Sequence, residues 1–600
     1  MIGRLRPQWT LAQASRHLHA ISPALFEATV PSGYSTTTEE SYRKLRLTAV
    51  RAENGVSLIR RTYDTSLWLL LGITGLVLLI ACANLANLML ARASAREREM
   101  AVRLAIGASR RRLLRQLLTE SLLLAASGAA LGVGLARGLC GVIVSFVSTQ
   151  GDPLRLDLTT DGRVLAFTAA VAVATCVVFG LSPALRSSRM EPSAAMRASG
   201  RGLTSGREGL SFQRLLVVTQ IAVSLVLLVG ALLLRQSFGN LLNLDPGFRP
   251  AGILAVFLDL TRVDLPARRP EALTRELLNL VRALPQVESA ATTTNIPLSG
   301  TSWTMGIQVA DAEREQSGSS KVTWVSSGYF RTMEIPLLAG RDFDDRDTET
   351  SRRVAVVNQT FGRRFFGSAD PVGRTFRTGA EPNYPEAVYE IVGVVKDTKY
   401  SGLRTEIPPI AFAPAPQYPN PRPAAALLIR SSAPLGGVMA SVKREVGGRY
   451  PEIYVESAVL QEEVRAALLP ERIMAALSGF FGVLATALAM IGLYGVVSYL
   501  VVRRRNEIGI RIALGAAAAD VLRMVLKDGL RLVIVGVAIG VPATLVVTRL
   551  ASALLFGVSP ADPPTIAAAT LVMITVAALA SFLPARRASR LDPMVALRHE

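Results

Sequence analysis

Seven stretches of this sequence are apolar over about 20 residues or more: 66–91, 117–147, 163–185, 214–235, 471–502, 524–556 and 564–584. A helix rises about 1.5 Å per residue, so about 20 apolar residues cover the hydrocarbon core of a bilayer. Only a helix or a closed barrel satisfies its own backbone there. The blocks therefore predict an α-helical integral membrane protein. An overall apolar fraction of 50% would not decide this, because soluble domains reach it too; the gathering into blocks does. The second and sixth blocks exceed one straight span, so each is expected to tilt or to begin as an interfacial helix. Gly128, Gly132 and Gly134 in one, and Gly536 and Gly540 in the other, include the small-xxx-small spacing that lets helices approach closely in lipid.

The net charge of +20 could suit a nucleic-acid binder, but the arginines lie beside the apolar blocks, where cytoplasmic loops carry them. They crowd the segments after the first block (Arg92, Arg96, Arg98, Arg103, Arg110, Arg111, Arg112, Arg115), between the third and fourth (Arg186 to Arg214), after the fifth (Arg503, Arg504, Arg505) and in the tail (Arg586, Arg587, Arg590, Arg598). The loops 148–162 and 557–563 hold Asp152, Asp157, Asp161 and Asp562 and are expected outside. Parity then puts 236–470 outside and the C-terminus inside. Residues 1–65 also fall outside, with no signal-peptide pattern before them; the expectation is a missing N-terminal helix. Cys82, Cys140 and Cys176 sit within apolar blocks and read as small buried hydrophobes, not a disulfide framework. His17, His19 and His599 form no metal set.

The long polar segment reads as a folded α+β domain. Strands are predicted at Ile253–Leu260, Val287–Thr293, Val354–Val357 and Tyr389–Val395, and a helix at Pro270–Leu284 from Leu273, Leu277, Leu278 and Val281. It contains neither His nor Cys, and Asp342, Asp344 and Asp345 read as turn residues, so no catalytic set is predicted.

The chain contains an internal repeat. Glu99-Met-Ala-Val-Arg103-Leu-Ala-Ile-Gly107-Ala108 aligns with Glu507-Ile-Gly-Ile-Arg511-Ile-Ala-Leu-Gly515-Ala516. The same offset pairs Arg115 with Arg523, Glu120 with Asp528, Gly128 with Gly536 and Gly132 with Gly540. Pro192, Ala195 and Arg197 are mirrored by Pro593, Ala596 and Arg598. Both copies put their basic segment inside, so the repeat is parallel, unlike the inverted repeats of many secondary carriers.

Within the repeated segment, Glu99 and Arg103, and Glu507 and Arg511, stand four apart with the acid first, the favourable order on a helix. Gly107 and Gly515 come one turn later, where a helix ends on a left-handed residue. Ser109 is placed to cap the next helix. A short helix, a break and a membrane-entering helix make a projection able to dock a soluble partner. An interfacial helix with solvated charges is the bland alternative. No G-x-x-x-x-G-K-[ST] loop occurs, which argues against an ATPase in this chain. Apart from Arg137, placed to snorkel to an interface, the blocks also lack the central charges of an ion-coupled carrier.

Glu507–Ala516, the closing Pro593-x-x-Ala-Leu-Arg598 and the stretch Val322–Val395 resemble the FtsX/MacB-type permease superfamily. The tandem layout, with Ile80–Ala91 opening the first set of spans, resembles its duplicated orphan permeases, the ADOP group. The fold class expected is therefore an α-helical membrane protein with an extracytoplasmic α+β domain and two parallel repeats of an FtsX-like helical unit. The expected domains are 1–65, remnant of a first periplasmic domain; 66–197, first three-helix unit; 198–238, linker and first helix of the second repeat; 239–468, MacB-like periplasmic core domain; and 469–600, second three-helix unit. The resemblance implies a non-enzymatic subunit with no cofactor, in the bacterial inner membrane. It implies a separate ABC ATPase coupled through Glu99, Arg103, Gly107, Glu507, Arg511 and Gly515, a dimer or pseudo-dimer, and a periplasmic or outer-membrane partner. Function is either substrate efflux or extraction, or non-transporting mechanotransduction onto a periplasmic partner.

Overall fold

The computed structural model describes residues 4–31, 34, 36–50, 58–95, 109–147, 162–171, 173–174, 205–263, 269–299, 302–311, 314–382, 384–420 and 424–590. In chain order the described helices are α1 (Leu11–Ala28), α2 (Thr36–Arg43), α3 (Leu58–Ala95), α4 (Arg110–Val147), α5 (Ser205–Leu242), α6 (Arg269–Arg282), α7 (Tyr329–Met333), α8 (Gln359–Phe366), α9 (Leu435–Arg449), α10 (Leu460–Ala466), α11 (Leu469–Arg503), α12 (Arg505–Ala513), α13 (Ala518–Leu550) and α14 (Pro563–Ala588). The chain forms two compact units, 62–240 with 469–600, and 1–61 with 241–468.

In the first of these units, five described helices are long and apolar enough to cross a membrane: Leu67–Asn87, Phe212–Leu242, Leu469–Arg503, Ala518–Leu550 and Pro563–Ala588. They fall on the first, fourth, fifth, sixth and seventh expected blocks. The second block lies in α4, and the third is described only as the short apolar helix Gly162–Val171 and two residues beyond it. The start of α14 follows from its sequence: Asp562 caps it by accepting the Thr565 amide, and Pro563 and Pro564 stand where no amide partner is needed.

Four helices of the second repeat share one core. Val217, Ile221, Leu225 and Val229 recur every fourth residue on α5 and meet Leu493 and Val497 of α11, Val525 and Val533 of α13, and Ala569, Met573 and Ala577 of α14. Lipid tails are as apolar as leucine, so helices in a bilayer associate by close packing. Gly536 and Gly540 supply it. A β-carbon on Gly536 would stand 2.6 Å from the Ile221 side chain, and one on Gly540 would stand 3.1 Å from the Ala222 backbone. The equivalent Gly128 and Gly132 on α4 meet nothing within 4 Å among the described residues.

The second unit contains the polar segment. β1 (Ile253–Asp259), β2 (Ser289–Thr293), β10 (Ala424–Arg430) and β11 (Tyr454–Val459) form an antiparallel sheet in the order β11-β1-β10-β2. With α6 between β1 and β2, and α9 between β10 and β11, this is a split βαβ arrangement. Leu254, Val256 and Leu258 point to the face covered by Leu273, Leu277, Leu278 and Val281 of α6 and by Val438, Val442 and Val446 of α9. Ile253 and Ala255 point to the other face, packed with Tyr329, Phe330 and Phe412. Burial on both faces explains why β1 is apolar almost throughout rather than alternating.

Between β2 and β10 the chain builds a second lobe. β3 (Trp303–Asp311), β4 (Arg314–Val325), β6 (Val354–Asn358), β7 (Thr375–Thr378), β8 (Ala387–Val395) and β9 (Ile410–Pro414) pair in a ring, β4-β3-β7-β8-β6-β9, that the parallel β4–β9 ladder closes. Closure leaves these strands no open edge. β5 (Leu337–Gly340) joins the outside of β8, and Gly340 there has φ +76° and passes so near the Val392 carbonyl that a side chain would collide. Helix α8 plugs the ring with Phe361 and Phe365, and its cap is Asn358, whose carbonyl oxygen accepts from Phe361 and Ile410 while its amide donates to Pro408.

The acids at 342–347 are turn residues, as expected. Arg341 donates two bonds to Asp347, at 2.8 and 2.9 Å, and Asp344 is gripped by Arg346. Hydrogen bonds from the Arg346 side chain, then from its backbone amide, hold the Asp344 carboxyl down to about 2. The α+β domain has its own cores, and we expect residues 239–468 expressed alone to be soluble and to unfold cooperatively in urea. A product that aggregates, or that melts without a sigmoidal transition, would count against it.

Candidate functional site

The site that the sequence singles out begins where α11 leaves the membrane. The helix ends at Arg503, and Arg504 breaks it with φ −94° and ψ 14°. Nine residues of α12 follow, and then a reversal. The Gly515 amide donates to the Ile512 carbonyl and the Ala516 amide to the Arg511 carbonyl, both at 3.0 Å, with Gly515 at φ +95°. This pair of bonds around a left-handed glycine is a Schellman ending, and a side chain with a β-carbon is disfavoured there. Two residues later Ala517 adopts extended backbone and α13 starts. The segment is thus a helix, a tight elbow and a long membrane helix with no slack between them.

Its two faces differ. Ile508 is buried in the membrane core, and Ile512 packs against that core. On the opposite face Glu507 Oε1 lies 2.7 Å from Arg511 Nη2, both half-exposed, while the other Arg511 nitrogen rests 2.7 Å from Met524 Sδ on α13. An exposed pair of this kind contributes only about 0.3–0.5 kcal/mol, so it orients charge more than it stabilises. Ile510 is 49% exposed and Leu514 82% exposed on this same face. The exposed apolar pair thus stands beside the fixed charge pair. Below it Arg504 clamps α13 through a 2.6 Å ion pair to Asp528, which also lies 3.7 Å from Arg531.

Glu507, Arg511 and Gly515 are therefore brought together, with the roles of a charge pair and a helix stop. Glu99, Arg103 and Gly107 lie outside the described residues, as do the Pro192–Arg197 and Pro593–Arg598 segments. Ser109 stands directly before α4, the cap position expected of it. Sequence reasoning missed Ile510, Leu514 and the Arg504–Asp528 clamp. A signal for the clamp was present: the repeat offset pairs Arg504 with Arg96 and Asp528 with Glu120, an oppositely charged pair in both copies.

Comparison with known proteins places these pieces. Residues 71–192 and 479–593 match the family described as FtsX-like permease C-terminal, and 216–468 match the MacB-like periplasmic core domain. Among curated relatives, the macrolide export ATP-binding/permease protein MacB of Chromobacterium violaceum is 26% identical over 47% of this chain and 44% of its own length. The uncharacterized ABC transporter permease YknZ of Bacillus subtilis is 23% identical over 48% of this chain and 72% of its own. The match thus spans less than half the length of MacB. The solved periplasmic region of MacB from Actinobacillus actinomycetemcomitans matches 36% of this chain and 93% of that one, at 13% identity and a TM-score of 0.26, too low to bear on the fold. With both ends matching one permease domain and the middle matching the external domain that accompanies it, the chain belongs to the FtsX/MacB-type ABC permease superfamily, as a multi-pass membrane protein with an extracytoplasmic domain and a duplicated FtsX-like unit.

Proposed function

We propose that this chain is the permease subunit of an ABC-type assembly in the bacterial inner membrane, driven by an ATPase on a separate chain. The elbow at Glu507–Gly515 is the docking point, and Glu99–Gly107 is its counterpart in the first repeat. The observation that carries this reading is the direct run from α12 through the Schellman turn into α13. A force applied to the exposed Glu507, Ile510, Arg511 and Leu514 face enters a membrane helix without passing through a flexible tail. The proposed division of labour keeps the expected boundaries: 66–197 and 469–600 as membrane units, 198–238 as linker and helix, 239–468 as the moving external domain, and 1–65 as part of a first external domain.

The test is co-purification and turnover of the ATPase that accompanies the wild-type permease. Glu507→Lys breaks one i, i+4 pair, a local loss of about 0.2–0.5 kcal/mol with a similar amount from repulsion of Arg511. That is too little to unfold a multi-span protein, so membrane yield should hold. Association should weaken about tenfold, or ~1.4 kcal/mol. Glu99→Lys should act in the same direction, and Leu514→Asp should act more strongly by burying an unpaired charge at the contact. Unchanged association and turnover in Glu99→Lys/Glu507→Lys would reject docking and leave an interfacial helix with solvated charges.

One observation favours mechanical transmission over a substrate path through these helices. The α5, α11, α13 and α14 cluster is packed through Gly482, Gly536 and Gly540 with backbone-close contacts. A substrate or periplasmic partner would then engage the external domain, where a cavity of about 1320 Å³ is lined by Phe257, Trp303, Tyr418 and Tyr454 among others. Flux of a candidate substrate in vesicles, set against ATP-dependent movement of the external domain without flux, separates the two mechanisms.

A further inference from the structure

The cleft between the two lobes of the external domain carries a pattern that the docking reading does not use. Leu254, Val256 and Leu258 of β1 face α6 and α9, so Phe257 and Asp259 look the other way. There β1 and β11 alternate rings with carboxylates: Phe257 stands opposite Glu456, and Asp259 stands opposite Tyr454. Opposed residues share a face with their β-carbons about 5 Å apart, so each ring has a carboxylate beside it. Phe257 is 40% exposed and Tyr454 is 64% exposed. On the neighbouring strands the same face is small. Ala424 opposes Asp259, Ala426 opposes Phe257, and Thr293 opposes Ala426. Large residues there would fill the space, whereas alanine and threonine leave a low floor.

The second lobe supplies a wall of rings. The centroids of Trp303 and Tyr384 are 4.7 Å apart and those of Trp324 and Tyr418 are 4.6 Å apart. A 3.1 Å hydrogen bond between the Tyr384 and Tyr418 hydroxyls fixes both tyrosines. Both lobes line one cavity of about 1320 Å³, and its ionisable lining is seven carboxylates against two arginines. Asp344 and Asp347 are held by Arg346 and Arg341. Asp259, Glu271, Asp345, Glu456 and Glu463 remain, against Arg275 and Arg282, and Arg282 donates to the Ala290 and Ser327 carbonyls. Burial, and then the charge of Glu349, raise the Glu271 carboxyl, as happens to an anion short of positive charge. The chain as a whole carries +20, so this acidic cleft runs against its composition. A positive nitrogen is drawn both to a ring face and to a carboxylate, and an anion is repelled by both. A neutral sugar stacks on rings too, but nothing in it answers the charge.

We propose that this cleft binds organic cations: an apolar ring system lies between the Phe257–Tyr454 face and the tryptophan–tyrosine wall, with its protonated or quaternary nitrogen beside Asp259 and Glu456. This rests on the reading that a substrate engages the external domain, but its test needs no ATPase. Ethidium is titrated by fluorescence into the full-length chain in phosphatidylcholine nanodiscs, with the signal of empty nanodiscs subtracted. The anionic dye anilinonaphthalene sulfonate is the control. Ethidium should bind and the sulfonate should not. Asp259→Asn/Glu456→Gln keeps the shape of both side chains and should weaken ethidium about tenfold or more. Ala426→Leu raises the floor of the cleft and should remove ethidium binding. Equal binding of the two dyes, ethidium binding untouched by the paired carboxamides or by Ala426→Leu, or no ethidium binding above empty nanodiscs each overturns the proposal. If Ala426→Leu is not monodisperse, Phe257→Ala takes its place; it should weaken ethidium severalfold, and an unchanged affinity overturns the proposal. Ethidium binding that needs these residues, with no ethidium flux in the presence of the ATPase, supports the cation site and counts against substrate transport alone.

Discussion

Gly536→Leu should abolish the folded membrane unit, while the equivalent Gly128→Leu should leave it intact. The two glycines are a repeat apart and would look interchangeable in an alignment. At Gly536 the first added carbon already lies 2.6 and 2.7 Å from two atoms of Ile221, and 3.2 Å from the Val218 carbonyl. Ile221 is fully buried and cannot rotate away, because Leu225 and Leu493 fill the same core. Overpacking a tight core by a methylene or two costs about 1–3 kcal/mol, and leucine adds four carbons where the first does not fit, so a loss beyond ~3 kcal/mol is expected. Helix α13 would have to separate from α5. At Gly128 a β-carbon meets nothing within 4 Å among the described residues. The measurement is the fraction of protein that stays monodisperse in detergent across a heating series. Equal melting of the two variants would show that the glycine contact with α5 does not hold the unit together.

Arg430→Met should be nearly as damaging to the external domain. Arg430 ends β10 with its side chain buried, and its guanidinium donates to the carbonyls of Thr332 at 2.7 Å, Ala251 at 3.2 Å and Arg249 at 2.9 Å. It also meets Glu334 at 3.0 Å. Burial pushes the guanidinium pKa down and Glu334 opposes that shift. Methionine fills the volume but strands three carbonyls, while the half-exposed Glu334 keeps Arg249 at 3.4 Å. Leaving a buried acceptor without its donor costs about 1–3 kcal/mol, so losing three donors at once should cost more than ~3 kcal/mol. The urea midpoint of the 239–468 fragment should fall accordingly. Arg430→Lys should recover only part of the loss, since an ammonium cannot span the fork of acceptors. A change under ~1 kcal/mol for Arg430→Met would mean that water replaces the guanidinium.

Much of this was legible in the linear sequence, for reasons that are local. The membrane helices were readable because length and apolarity alone satisfy a bilayer. The helix under β1 was readable because Leu273, Leu277, Leu278 and Val281 repeat at helical spacing, and all four are buried. The Glu507–Arg511 pair and the glycine stop were readable because both act within one turn. The ring of strands was not. β4 runs Arg-Glu-Gln-Ser-Gly-Ser-Ser before its apolar end, with no alternation to mark a strand, and its closing partner β9 lies some hundred residues away in parallel.

Class, duplication and the charge order of the elbow were thus determined by the sequence, since hydropathy, spacing and repetition act along the chain itself. Which glycine of α13 presses on α5, and which isoleucine of α12 is exposed, were decided only by tertiary structure. Each depends on the residue that arrives from another helix, and nothing within one segment specifies what that residue is.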